Sequence, residues 1–170
     1  MDKRSKEKII PIELYTDGSC KKIGNITFGG WAFIAIDDGC EICSVAGHEY
    51  DTTNQRMELL AIIEGIKHIK DTREPNQRVV IYSDSAYVIN CYLQQWWLKW
   101  QANGWTNSQK KDVANKDLWL QLIPYFDNFW YDFRKVKGHD NVYWNEECDR
   151  RAQFESEKVK RECRGNKNDT

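Results

Sequence analysis

One acid in an apolar strand constrains the whole chain. Leu14-Tyr15-Thr16-Asp17-Gly18-Ser19-Cys20 reads as the end of a buried strand, with a carboxylate followed directly by a glycine. Burying an ionised carboxylate is costly unless a partner neutralises it. Four more segments carry groups that can supply or share that partner: Thr53-Asn54-Gln55-Arg56-Met57-Glu58-Leu59, Tyr82-Ser83-Asp84-Ser85, Gly138-His139 and Glu146-Glu147-Cys148-Asp149. Asp17 is therefore expected to be the central ligand of a divalent-metal site on which the other carboxylates converge.

At 170 residues the chain can bury one proper core and is short for two. Apolar residues at 41% and charged residues at 30% suit a globular protein rather than a disordered one. No apolar run approaches the length of a membrane span. The start, Met1 to Lys8, is charged and leads into only a short apolar stretch, so it does not read as a signal peptide. A cytoplasmic protein with its six cysteines as reduced thiols is expected. The net charge of −1 argues against indiscriminate nucleic-acid binding, but local charge matters more than the sum. Basic residues collect at Lys110-Lys111, at Lys135 and Lys137, and from Lys158 to Lys167, while an acidic active site would itself lower the total.

Three antiparallel strands open the expected fold: Ile10–Ser19, Thr27–Ile36 and Glu41–Gly47, the last two joined by the tight turn Asp37-Asp38-Gly39. A helix follows, capped by Thr53 or Asn54, with Leu59, Ile62, Ile63, Ile66 and Ile69 at helical spacing as its core face. Glu58 borders that face. Pro75-Asn76 ends the helix region, and Arg78–Ser83 is a fourth strand with Asp84 at its C-terminal end, where α/β sheets place ligands. Ser85 caps a helix whose apolar side is Ala86, Val88, Ile89 and Leu93. Gln94–Lys116, rich in tryptophan, reads as a helical protrusion and a loop, and Lys116–Phe126 as a helix interrupted by Pro124. Asn128–Val136 is a fifth strand, Gly138–Trp144 a loop, and Asn145 the cap of a last helix that frays after Val159. The organisation expected is a polar tail over residues 1–9, one domain over 10–160 and a basic tail over 161–170.

Phosphodiester hydrolysis needs charge stabilisation on the attacking and the leaving oxygen, which two Mg²⁺ ions about 3.5–4 Å apart provide. Such ions take hard oxygen ligands and retain several waters. Asp17, Glu58, Asp84 and Asp149 each sit at a strand end or an early helix turn, where a rigid scaffold can aim them. Taken singly, Asp84 belongs to a helix cap, Glu58 to a first turn and Asp149 to a solvated helix face. Only Asp17 resists a bland account alone; the four together, with their flanking residues, resist it jointly.

Those flanking residues resemble the five signature blocks of the type 1 ribonuclease H family, in order and at similar spacing, from Ile10 to about Gln153. The blocks are Tyr15–Ser19, Thr53–Leu59, Tyr82–Ser85, Val136–His139 and Asn145–Asp149. The resemblance implies an α/β ribonuclease H-like fold, with a mixed five-stranded sheet flanked by helices. It also implies a monomeric endonuclease that hydrolyses the RNA strand of RNA–DNA hybrids, leaving 5′-phosphate and 3′-hydroxyl ends. By the same resemblance Asp17 bridges two Mg²⁺ ions, for which Mn²⁺ can substitute. Glu58 and Asp84 hold the ion on the leaving-group side, Asp149 holds the one that activates water, and His139 shuttles protons or eases product release. Gly18, Asn25, Thr53, Asn54 and Gln55 resemble residues that touch the hybrid, and the Trp96–Trp105 protrusion, with Trp100 and Trp105, resembles the family's substrate handle. Departures are the neutral Gln101-Ala102-Asn103, where many members are basic, and Ala86, where some carry a polar side chain. Trp96, Trp97 and Trp119 are expected in the core, and Cys40 and Cys43 as packing residues rather than a zinc or redox pair.

Overall fold

The computed structural model describes residues 10–73, 76–136 and 142–165. Its centre is one five-stranded sheet in the order β3-β2-β1-β4-β5. β1 (Ile12–Ile23), β2 (Ile26–Asp37) and β3 (Cys40–Tyr50) form an antiparallel meander. The β2–β3 turn has Asp38 at φ 47° and Gly39 at φ 78°, the backbone of the expected tight hairpin. β4 (Val79–Ser83) then lies parallel to β1, and β5 (Tyr131–Lys135) parallel to β4. The sheet is the mixed one expected.

Alternation along β1 divides the core. Ile12 and Leu14 point into the larger cluster with Phe33, Val79, Ile81 and the helices; Tyr15 points the other way, with Ala32, Ile34 and Ile36. On the first face lies α1 (Asn54–Thr72), which buries Leu59, Ile62, Ile63, Ile66 and Ile69 as its spacing predicts. Thr53 is its cap, the hydroxyl accepting the Arg56 N–H at 3.2 Å. α2 (Ala86–Gln94), α3 (Trp96–Ala102) and α4 (Lys116–Leu122) complete that layer, with a single 3₁₀ turn at Ile123–Tyr125 where Pro124 stands. The second face is covered by α5 (Val142–Gly165), through Cys148, Ala152 and Val159.

Several boundaries differ from the sequence reading. β1 continues past Ser19 to Ile23, because Lys21, Lys22 and Ile23 pair with Phe28, Thr27 and Ile26 in a two-stranded arm. β3 likewise runs on to Tyr50, opposite Phe28. β5 is shorter than expected. Leu93 is not a core residue: α2 ends at Gln94, followed by Gln95 in a left-handed conformation, and Leu93 is left 67% exposed. Asn145 does not cap α5, which starts a turn earlier at Val142. α5 also does not fray at Val159, which is fully buried. Beyond or beside it, Glu157 pairs with Lys21 of β1, and Tyr50 of β3 donates to Glu162 at 3.4 Å.

Candidate active site

The four carboxylates arrive from four different elements. β4 ends at Ser83, so its pairing with β1 stops at Tyr15–Tyr82 and the two strands part there. Asp17 projects from β1 just beyond this split, and Asp84 follows the end of β4. Glu58 comes from the second turn of α1 and Asp149 from the second turn of α5.

Two glycines allow that convergence. A Cβ on Gly18 would collide with the backbone of Met57 and Glu58, 2.5 Å from the Met57 carbonyl carbon. One on Gly30 would strike the Ala152 carbonyl oxygen and stand 2.8 Å from the Ser156 nitrogen. The bare backbone at these points lets α1 and α5 press onto opposite faces of β1–β2. Gly18, expected as a point of substrate approach, is thus first a point of helix approach.

Asp17, Glu58, Asp84 and Asp149 line one open cleft of about 340 Å³, which Gly18, Asn54, Asn145 and Glu146 also border. Asp17 is only 8% exposed. Its carboxyl is pushed up to about 8, first by burial, then by Asp84, Asp149 and Glu58, against the Gly18 N–H, which donates to Oδ1 at 2.7 Å. Glu58 is raised by burial and by Asp84, while the Ser85 hydroxyl that donates to it works the other way. Asp84 is raised by the protein around its carboxyl and by Asp149; Lys135, at the end of β5, opposes this.

Among the described residues, no three acid, histidine or cysteine side chains already stand at the spacing of a closed metal cage. The cleft is open instead. Carboxylates repel one another, and local donors hold two of them: Gln153 donates to both Asp149 oxygens at 2.8 and 2.9 Å, and Asn54 and Ser85 donate to Glu58. Convergent, mutually repelling hard-oxygen donors on an open wall suit a small divalent cation that keeps part of its water shell. Among the described residues, Asn145 Oδ1 is buried on the same wall with no hydrogen-bond partner.

The other expected residues divide. Thr53, Asn54 and Gln55 are exposed at the start of α1, beside the cleft. Asn25 is exposed at the tip of the β1–β2 arm and does not line the cleft. Trp105, expected with Trp100 in the handle-like protrusion, is 9% exposed and 5.8 Å from Trp100, which in turn lies 5.4 Å from the fully buried Trp119. The indoles fill the space between α3 and α4, as Trp97 and Trp119 were expected to do. His139 lies outside the described residues. Cys40 is exposed and Cys43 half-buried, both free thiols. Sequence reading saw Ser85 only as a cap and gave Arg56 no part. Arg56 binds Glu49 of β3 at 3.0 Å and Asp117 of α4 at 3.0 Å, fixing the start of α1. Its partner Asp117 is 61 positions away, so no local pattern announces it.

Sheet, split strands and acid-lined cleft define a nuclease of the α/β class. A model of the ribonuclease H family matches residues 10–157. Ribonuclease H of Syntrophomonas wolfei subsp. wolfei is 48% identical over 141 residues, 83% of this chain and 92% of that protein. Ribonuclease H of Thermoanaerobacter sp. (strain X514) is 43% identical over 155 residues, 91% of this chain and 94% of that one. Among solved structures, LC9-RNase H1, described as a type 1 RNase H with the type 2 active-site motif, superposes with a TM-score of 0.66 at 25% identity, covering 86% of this chain and 72% of that one. The chain belongs to the type 1 ribonuclease H family. It is a hydrolase that acts on RNA paired with DNA, and its family is generally dependent on a divalent metal.

Proposed function

We propose that the chain cuts the RNA strand of RNA–DNA hybrids internally by a two-metal-ion mechanism, leaving 5′-phosphate and 3′-hydroxyl ends. The observation that carries this reading is the cleft in which Asp17, buried and pushed up to about 8, faces Glu58, Asp84 and Asp149. Bound there, Mg²⁺, or Mn²⁺ in its place, stabilises charge on the attacking and the leaving oxygen. Asp17 would be the ligand shared by the ions, Glu58 and Asp84 would hold the ion on the leaving-group side, and Asp149 would hold the ion that activates the attacking water. His139, outside the described residues, would shuttle protons or ease product release. Thr53, Asn54 and Gln55, exposed beside the acids, contact the hybrid backbone. RNA is told from DNA by its 2′-hydroxyls across the shallow minor groove.

The protein acts as a monomer in the cytoplasm on this reading. Among the described residues no helix is long and apolar enough to cross a membrane. A cleavage assay on hybrid, duplex RNA and duplex DNA, with and without Mg²⁺, tests the proposal. Cleavage of the hybrid RNA strand alone, only with the metal, and with 5′-phosphate ends, is expected. Metal-free cleavage, or cutting of duplex DNA, would overturn it.

A further inference from the structure

Ser85 stands where two separate demands meet. As the cap of α2 its Oγ accepts the Val88 N–H at 3.3 Å. The same Oγ donates to Glu58 Oε2, across 27 positions of sequence. A hydroxyl has one hydrogen and two lone pairs. An N–H can only donate and an ionised carboxylate can only accept, so both ends of the arrangement are forced. The Ser85 hydrogen has one direction, toward Glu58. Ser85 is 3% exposed, so bulk water does not compete for it. Its own N–H donates to Ser83 Oγ at 3.1 Å, which stiffens the turn that carries Asp84. The second Glu58 oxygen, Oε1, accepts from Asn54 Nδ2 at 3.3 Å. Ser85 therefore ties a side chain of α1 to the turn between β4 and α2, and so fixes Glu58 relative to Asp84.

We propose that Ser85 is a positioning residue of the carboxylate centre, holding Glu58 in the orientation that a divalent cation requires. The inference rests on the functional reading above and extends it to a residue that acts through Glu58. A hydrogen bond to a charged group contributes enough for its loss to weaken cation binding by about tenfold.

Cap and clamp can be separated. Glycine serves at a helix N-cap almost as well as serine, whereas alanine does not. Ser85→Gly therefore removes the donor to Glu58 and leaves α2 nearly intact; Ser85→Ala removes both. Mg²⁺ is titrated calorimetrically into each purified protein without nucleic acid, beside urea unfolding and hybrid kinetics. Both variants are expected to bind Mg²⁺ about tenfold more weakly, although only Ser85→Ala loses stability. Their KM for hybrid is unchanged, and their kcat recovers as Mg²⁺ is raised. Mg²⁺ affinity in Ser85→Gly equal to or tighter than that of the unaltered protein would overturn the inference. Asp17→Asn is the control: if it too retained Mg²⁺ affinity and cleavage, the functional reading itself would fall.

Discussion

Asp17 carries a pH signature of its own. Its carboxyl keeps a proton in the fold up to about pH 8, but loses it near its ordinary value of 3.8 when the chain unfolds. A folded value above the unfolded one means that the favourable contribution is complete below pH 3.8 and is lost as pH rises toward 8. In metal-free buffer Asp17→Asn should therefore be more stable than the unaltered protein at pH 8, by roughly 1–3 kcal/mol, or about 3–10 °C in Tm. The gain should nearly vanish at pH 4. Thermal melts across that range check it; an equal difference at both ends would show that Asp17 is not strained by its neighbours. Added Mg²⁺ should shrink the gain, since a cation stabilises the ionised carboxylate that burial and the neighbouring acids disfavour.

At the scale of elements, the site depends on how closely two helices approach one pair of strands. Gly30→Ala pushes α5 off the sheet at Ala152 and Ser156, and Asp149 is one turn away on that helix. Urea unfolding should report a loss of about 1–3 kcal/mol, the scale of overpacking in a filled core. Mg²⁺ affinity should fall with it, although Gly30 does not line the cleft. A stable Gly30→Ala protein with normal affinity would mean that α5 has room to spare. Trp105 makes the complementary case. Its indole packs against Trp100 and is 9% exposed, so Trp105→Ala should lose about 3–5 kcal/mol, measured by the same unfolding.

These elements also show what a single sequence discloses. The face of α1 was legible because five apolar residues repeat at helical spacing, and the Asp38-Gly39 turn because its chemistry is local. The convergence of the acids was legible from Asp17, whose apolar strand leaves a carboxylate no bland explanation. The start of α5 was misplaced because Asn145 is a residue type that caps helices, as is Asn141 directly before Val142, and residue type alone does not choose between them. The role of Arg56, the length of α5 and the hydrogen bond from Ser85 to Glu58 depend on partners 27 to 136 positions away, such as Lys21 with Glu157. No periodicity records such contacts.

Across the whole molecule, charge balance sets how hybrid binding should respond to salt. The net charge is −1, and the outer end of α3 presents Gln101, Ala102 and Asn103 exposed and uncharged. Hybrid binding should therefore fall only gently with salt. Gln101→Lys with Asn103→Arg should tighten it at low salt and steepen the log–log salt slope by up to about 0.9 for each new phosphate contact. An unchanged slope would place the hybrid away from α3. The most direct test of the central claim remains the rate at which Asp17→Asn cuts the RNA of a hybrid at saturating Mg²⁺. A folded variant that binds hybrid but cleaves at least about 10²–10³-fold more slowly is the predicted result. Cleavage near the unaltered rate would contradict the claim that the four carboxylates act as one centre.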